Sequence, residues 1–110
     1  MLAIPNSESN SLYLRCCKAA GIKGHPARNP MAIQEFFINF LTNEGDLVCD
    51  LFAGSNTTGA TCEKLGRRWK SFELSLDYVA SSSFRFLNDN TEATYMYEKL
   101  KNSEFIDFTV

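Results

Sequence analysis

The sequence predicts an α/β fold built around a strand, helix, strand unit, and three observations predict it. An apolar run, Leu47-Val48-Cys49, is typical of a short buried strand. It is followed by a turn of small residues, Ala53-Gly54-Ser55, which opens a helix at Asn56-Thr57-Thr58-Gly59. A second strand, Trp69 to Leu74, then carries Glu73 roughly 20 residues beyond the turn. Two parallel strands joined by a crossover helix account for this order.

Upstream of this unit, the sequence predicts one short helix and one longer helix. Residues 1–24 are expected to form an irregular lead-in segment, broken by a short helix from Ser11 to Ala19. Pro30, preceded by Asn29 as N-cap, begins the longer helix, and Gly45 ends it. The apolar residues of that helix recur at helical spacing and are expected to face the core: Ile33, Phe36, Phe37, Phe40 and Leu41.

The remaining boundaries follow from capping signals. The first strand is expected over Leu47 to Phe52, and the crossover helix from about Thr57 to Leu65, ended by Gly66. Ser75 caps a helix that runs to about Leu87. A last helix over Thr91 to Lys101 and a short strand over Phe105 to Val110 complete the prediction.

The predicted sheet is incomplete. Two parallel strands cannot form a stable sheet alone, because parallel strands require neighbours and cover on both faces. The strand from Leu47 to Phe52 would therefore be an exposed edge, which favours association with other chains. We expect the chain to need a partner or to be poorly soluble.

Composition excludes several classes of protein. With 110 residues, the chain is one small domain or part of a larger one. No run of about 20 apolar residues exists, and Met1 to Ile4 is too short and uncharged for a signal peptide. The four cysteines, Cys16, Cys17, Cys49 and Cys62, lack Cys-x-x-Cys spacing. We expect reduced thiols, no metal, no membrane and a cytoplasmic location.

Charge gives little sign of nucleic-acid binding. The formal net charge is −2, whereas a duplex-binding domain usually carries a basic patch. The basic residues cluster at Lys64, Arg67, Arg68 and Lys70. This cluster can be a small basic patch or simply favourable cations at a helix C-terminus, and the second interpretation is preferred.

The glycine turn predicts an adenosine-bearing cofactor. It lacks G-x-G-x-x-G and the G-K-[ST] ending of a P-loop, which disfavours dinucleotides and nucleoside triphosphates. No Lys or Arg lies between Asp46 and Lys64, and Asp50 would repel a pyrophosphate. An acid there suits the cationic S-adenosylmethionine, while Glu73 suits the ribose hydroxyls. The alternative is an ordinary strand, turn and helix with a capping Ser or Thr.

Five separated motifs carry a family resemblance: His25 to Pro30, Glu35 to Ile38, Leu41-Thr42, Asp50 to Gly59 and Leu65 to Trp69. Together they resemble the amino-group DNA methyltransferases, and within that family the carboxy-terminal part of cytosine-N4 modification methylases of type II restriction systems. Ile4 to Ser11 and Tyr78 to Phe86 fit the same subgroup. The resemblance implies a partial Rossmann-like fold of the S-adenosylmethionine-dependent methyltransferases, with residues 25–110 as the cofactor-binding part and double-stranded DNA as partner of the complete enzyme.

The resemblance also implies site residues. Asp50, Phe52, Gly54 and Ser55 would line the S-adenosylmethionine pocket, and Glu73 would bind the ribose, its alternative being a solvated surface acid. Three further residues have two possible roles each. Thr57 and Thr58 either direct donors at the methionine carboxylate or only cap the helix. His25 either forms a wall at the methionine end of the pocket or is a structural histidine. The aromatic stripe of the longer helix and Trp69 are interpreted as packing.

The chain also departs from the family pattern. Asn29 stands where the subgroup usually has Phe, Gln34 where Pro is common and Leu51 where many members have Pro. The three prolines are never adjacent, so the catalytic Ser-Pro-Pro-Tyr type motif does not occur in this sequence, and neither does a target-recognition region. Three hypotheses remain: a truncated methyltransferase inactive alone, one half of a split methyltransferase, or a cofactor-binding interaction module without methyl transfer.

Overall fold

A computed structural model describes residues 11–24 and 30–102 of the chain. The elements in chain order are α1 (Ser11–Ala20), α2 (Met31–Leu41), β1 (Leu47–Asp50), α3 (Thr57–Leu65), β2 (Arg68–Ser71), α4 (Leu76–Ser82), a 3₁₀ helix (Ser83–Phe86) and α5 (Ala93–Lys101). No helix in these ranges has the length and apolar character needed to cross a membrane. The predicted strand over Phe105 to Val110 lies outside the described residues, as does the predicted cap Asn29.

The strand, helix, strand unit forms as predicted. β1 and β2 pair in parallel, with Leu47 opposite Arg68 and Asp50 opposite Ser71, and α3 connects them. Both strands end earlier than predicted, at Asp50 rather than Phe52 and at Ser71 rather than Leu74. The Asp50 carboxylate accepts the backbone N–H of Phe52 at 2.9 Å, which turns the chain away from the strand direction. Glu73 therefore lies just beyond β2 and not within it.

Within the described ranges, β1 and β2 pair only with each other. Leu47 is exposed, and so is Cys49, which was expected to be buried. The reason is that one face of the two-stranded sheet has no cover among the described residues. The exposed apolar strand agrees with the predicted edge.

The apolar stripe of α2 was expected to be core, and that prediction is wrong for this chain. Ile38 is buried, but Phe36 and Phe37 are each 49% exposed and Phe40 is 74% exposed. Helical spacing shows which face is apolar, but it does not show what covers that face. Among the described elements α2 packs mainly against α3, and its aromatic rings contact one another.

The ends of α2 also differ from the prediction. Pro30 is the N-cap and not the first helical residue. The helix ends at Leu41, four residues before Gly45, because Thr42 adopts an extended conformation with φ −134° and ψ 165°. The Thr42 hydroxyl also donates to the Ile38 carbonyl in the last turn. Gly45, with φ +87°, instead shapes the turn that leads into β1.

The main hydrophobic core lies among the helices α1, α4, α5 and the 3₁₀ helix. Its buried members are Tyr13, Cys16, Cys17, Ala80, Phe84, Ala93 and Tyr97. The predicted helix from Ser11 to Ala19 is thus confirmed as α1, and it is packed into the same core as the later helices. The division of the chain at residue 24 stays a prediction.

Serine side chains explain why α4 is shorter than predicted. Ser75 is its N-cap, as predicted, and accepts the backbone N–H of Tyr78 at 3.3 Å. The hydroxyls of Ser82 and Ser83 donate to carbonyls three residues earlier, at 2.7 and 2.8 Å. Such bonds compete with helical ones, and the chain tightens into the 3₁₀ helix instead of continuing to Leu87 as α-helix.

Candidate cofactor site

The glycine turn between β1 and α3 is shaped by two residues with positive φ. Gly54 has φ +57°, and Asn56 has φ +63°, a conformation that asparagine adopts more readily than most residues. Asn56 is the N-cap of α3, since its Oδ1 accepts the backbone N–H of Gly59 at 3.0 Å. Capping by Thr57 or Thr58, one of the alternatives above, is therefore not observed.

Glu73 lies directly across this turn. Its Oε1 accepts the Gly54 backbone N–H at 2.9 Å, and its Oε2 accepts the Ser75 backbone N–H at 2.9 Å. The carboxylate thus joins the turn after β1 to the segment after β2. The predicted ribose acid and the predicted glycine turn are in contact, at the edge of the sheet where both parallel strands end.

Asp50 fixes the start of the turn. Besides the Phe52 backbone N–H, it accepts the Thr58 hydroxyl at 2.7 Å. Phe52 itself lies at the surface, 89% exposed. Asp50 and Phe52 are therefore neighbours in space, as the predicted site requires, and the aromatic ring remains accessible.

The hydroxyls of the other predicted residues face into the protein. Ser55, Thr57 and Thr58 are all buried. The hydroxyls of Ser55 and Thr57 accept hydrogen bonds from the guanidinium of Arg85, at 2.6 and 3.0 Å, and Arg85 also donates to the Ser55 carbonyl at 2.5 Å. Their contact with a cofactor stays a prediction. His25 lies outside the described residues.

Arg85 and Asn56 were not predicted to shape the turn. Arg85 is 30 residues from Ser55 along the chain, and no local spacing connects them. Asn56 offered a weak signal, because asparagine is one of the preferred N-cap residues.

A cavity of about 680 Å³ adjoins the turn. Ala53, Gly54 and Glu73 line it, whereas Asp50, Phe52, Ser55, Thr57 and Thr58 do not. Its volume falls within the range of small-molecule pockets. The lining also includes Trp69 and Phe86, whose rings stack with centroids 5.3 Å apart at an interplanar angle of 7°. The Trp69 side chain was interpreted as packing, and it also borders this cavity.

The basic cluster serves mainly to cap backbone. Arg67 donates to the carbonyls of Leu65 and Thr42 at 2.9 Å each and to the Thr42 hydroxyl at 3.0 Å. Arg68 donates to the Gly45 carbonyl at 2.9 Å, and Lys64 forms an ion pair with Glu35. These contacts favour the helix-terminus interpretation over a DNA-binding patch.

The described residues contain no group of three or more His, Cys, Asp or Glu side chains placed to bind a metal ion. The four cysteines are free thiols, three of them buried. The site chemistry that the described residues do offer is a pair of carboxylates, Asp50 and Glu73, flanking a glycine turn beside a cavity.

Comparisons with known proteins identify the family. A profile of the DNA methylase family matches residues 3–84. The type II methyltransferase M.PvuII of Proteus hauseri is 51% identical over 110 residues, a match covering 97% of this chain and 33% of that protein. The DNA adenine methyltransferase YhdJ of Escherichia coli (strain K12) is 39% identical over 57 residues, covering 52% of this chain and 19% of that protein.

A solved structure gives the same assignment. The PvuII DNA methyltransferase (cytosine-N4-specific) superimposes with a TM-score of 0.93 at 50% identity, covering 99% of this chain and 40% of that chain. This chain therefore spans between a third and two fifths of the length of its PvuII relatives. The match confirms the predicted α/β methyltransferase fold with an incomplete sheet. The chain belongs to the DNA methylase family.

Proposed function

We propose that this chain binds S-adenosylmethionine and forms the methyl-donor part of a site-specific cytosine-N4 DNA methyltransferase of a restriction-modification system. The observation that carries the proposal is the contact between the Glu73 carboxylate and the Gly54 backbone N–H, beside a cavity of about 680 Å³. An acid paired with a glycine turn at the carboxyl edge of parallel strands suits an adenosine ribose.

The residues at the turn fit such a cofactor. A carboxylate offers about four acceptor positions, so Glu73 can fix the turn and also accept ribose hydroxyls. Gly54 lets the backbone approach the ligand closely, and the negative Asp50 favours a cation. S-adenosylmethionine, when bound, supplies the methyl group that the enzyme transfers. Phe52, Ser55, Thr57, Thr58 and His25 remain proposed members of the site.

The choice of base rests on the PvuII relative. That enzyme is named as cytosine-N4-specific and matches nearly all of this chain, whereas the adenine methyltransferase matches about half. We propose the same target base for this chain. We also propose double-stranded DNA as the partner of the complete enzyme and a cytoplasmic location.

We do not expect these 110 residues to methylate DNA by themselves. In this family the target base is taken out of the duplex into a pocket built around the catalytic motif. No Ser-Pro-Pro-Tyr type motif occurs in the sequence, and the net charge of −2 gives little attraction to phosphates.

A second candidate function is one subunit of a split methyltransferase. The observation that favours it is the exposed apolar surface around the strand ends, where Leu51 is 65% and Phe52 89% exposed. Surfaces of this kind usually mark a site of association. Co-expression with a chain that carries the catalytic motif and a recognition region would then give a stable heterodimer that methylates DNA. Two chains that stay separate would contradict this candidate, and binding of S-adenosylmethionine without methylation would favour the interaction module.

The first test of the proposed function is calorimetric titration of the purified chain with S-adenosylhomocysteine and S-adenosylmethionine. The informative variant is Glu73→Gln, which keeps the size of the side chain but weakens its acceptors. We expect an affinity loss of about tenfold or more, since a charge-assisted hydrogen bond contributes about 1.5–3 kcal/mol.

Glu44→Gln is the matched control. Glu44 is an exposed glutamate beside Gly66 at the opposite end of the sheet, and its replacement should leave the affinity unchanged. A second arm uses 2′-deoxy and 3′-deoxy analogues of S-adenosylhomocysteine, which should bind more weakly to the unaltered chain. A folded chain that binds neither ligand, or equal losses in both variants, would refute the proposal.

A further inference from the structure

We infer that Arg85 is a positioning residue that fixes the second half of the glycine turn in its binding shape. This inference rests on the proposed function. The guanidinium donates three hydrogen bonds to two adjacent parts of the turn: the Ser55 carbonyl, the Ser55 hydroxyl and the Thr57 hydroxyl, at 2.5, 2.6 and 3.0 Å. These acceptors belong to buried residues, so loss of the donor would leave buried polar atoms unpaired.

Arg85 is itself fixed by the helical core. Its guanidinium carbon lies 4.8 Å from the centre of the Tyr13 ring, and Tyr13 is 1% exposed on α1. Stacking of a planar guanidinium on an aromatic face restricts its orientation, and its donors then point in fixed directions. Arg85 thereby connects the core formed by α1 and the 3₁₀ helix to the turn.

The turn has supports on two sides. Glu73 accepts the Gly54 N–H from the side of β2, and Arg85 donates to Ser55 from the side of the 3₁₀ helix. Glu73 holds the peptide group between Ala53 and Gly54, and Arg85 holds the peptide group between Ser55 and Asn56. The Gly54–Ser55 peptide lies between these two fixed groups, and it can rotate more freely if Arg85 is lost. Rotation would move the Gly54 backbone that the cofactor is proposed to approach.

Arg85 also brings a positive charge to the glycine turn. No Lys or Arg lies between Asp46 and Lys64 in sequence, yet the fold brings this cation to Ser55 and Thr57. Three of its hydrogen bonds go to the carbonyl and hydroxyls of the turn, and the positioning role of Arg85 is exerted through these bonds to Ser55 and Thr57.

The test compares Arg85→Gln and Arg85→Lys with the control Arg67→Gln. Arg67 is a matched control because it is also partly buried and also donates three hydrogen bonds, to Thr42 and Leu65, near the opposite end of the sheet. Three quantities are measured for each variant: the melting temperature, the hydrogen-exchange rates of the backbone amides from Gly54 to Gly59, and the dissociation constant for S-adenosylmethionine.

Arg85→Gln should raise amide exchange in the turn and weaken cofactor binding by about tenfold or more. Arg85→Lys keeps the charge but not the planar fork, and should recover only part of both losses. Arg67→Gln should lower the melting temperature while leaving turn exchange and affinity unchanged.

Unchanged turn exchange in Arg85→Gln, or equal effects of Arg85→Gln and Arg67→Gln on turn exchange and affinity, would overturn the inference. If the unaltered chain binds no S-adenosylmethionine, the proposed function fails. The exchange rates then still decide whether Arg85 orders the turn, since they are measured without ligand.

Discussion

Replacement of Gly59 by alanine is expected to destabilise the chain, although alanine is normally the better helix residue. Gly59 is the third residue of α3. A β-carbon at this position would lie 2.5 Å from Nδ2, 2.8 Å from Oδ1 and 2.9 Å from Cγ of Asn56. The Asn56 side chain would have to leave its position, where Oδ1 accepts the Gly59 N–H at 3.0 Å and the Ser71 hydroxyl at 2.7 Å.

The expected magnitude follows from four contributions. Alanine in place of glycine stabilises a helix by about 0.8–1 kcal/mol. Loss of the asparagine cap costs about 1 kcal/mol, and loss of the hydrogen bond from Ser71 costs about 1 kcal/mol more. Asn56 is buried, so its displaced amide adds a desolvation cost of about 1 kcal/mol. The net loss for Gly59→Ala is about 2 kcal/mol, which corresponds to a decrease in melting temperature of about 10 °C.

The assay is urea unfolding followed by circular dichroism, with a double-mutant cycle that includes Asn56→Gly. Glycine caps a helix almost as well as asparagine and tolerates the positive φ. In the Asn56→Gly background the steric conflict is absent, and Gly59→Ala should be neutral or stabilising by up to about 1 kcal/mol. The reasoning is refuted if Gly59→Ala stabilises the unaltered chain, or if it has the same effect in both backgrounds.

Three further predictions concern cysteine reactivity, pH and surface character. In the native protein, maleimide labelling followed by mass spectrometry should modify Cys49 first and the three buried cysteines only on unfolding. Burial also raises the pKa of the Cys16 and Cys62 thiols, which lowers their reactivity further. Simultaneous labelling of all four cysteines would contradict the fold. The hydrogen-bonded ion pair of Lys101 and Asp77, 2.8 Å apart, lowers the pKa of Asp77 and raises that of Lys101. Its contribution to stability is therefore present at neutral pH, lost as the pH falls through the lowered pKa of Asp77, and lost as the pH rises through the raised pKa of Lys101. Asp77→Asn should accordingly lower the urea midpoint at pH 7 more than at pH 3, and an equal change at both values would argue against the pair. Phe40→Ser should change the free energy of unfolding by less than about 0.5 kcal/mol while reducing self-association in sedimentation experiments, because Phe40 is largely exposed; a large loss of stability would show that the residue is core.

The parts of the fold that the sequence predicted well are those with local physical signals. The helix from Thr57 to Leu65 ends at Gly66, which has φ +76°, and Ser75 caps the next helix. Both capping signals depend only on residues within one helical turn, so they can be identified from the sequence alone. Strand ends were less accurate, because the hydrogen bond from Phe52 to the Asp50 carboxylate that stops β1 has no strong propensity signal.

The parts that could not be predicted depend on distant residues. The aromatic face of α2 is apolar by pattern, but its exposure depends on what packs against it. The placement of Glu73 near the glycine turn was predicted from the spacing of the strand, helix, strand unit, since parallel strands bring their carboxyl ends together. The hydrogen bond between Glu73 and Gly54 was not predicted. The contact of Arg85 with Ser55 followed from no such rule, because it depends on how the 3₁₀ helix packs on α1.

The glycine turn is a local motif whose shape nevertheless requires the whole described fold. Asp50 fixes its start, Asn56 caps the helix that follows, Glu73 accepts its amide and Arg85 donates to its carbonyl. These four side chains come from β1, the turn itself, the segment after β2 and the 3₁₀ helix, and Arg85 in turn stacks on Tyr13 in the main core. A match to the turn sequence alone therefore cannot establish a binding site, because the same residues without their distant partners would adopt many conformations. The Glu73 carboxylate contacts Gly54 and the Arg85 guanidinium contacts the next residue, Ser55. The proposed cofactor site of this chain is therefore a property of its tertiary structure.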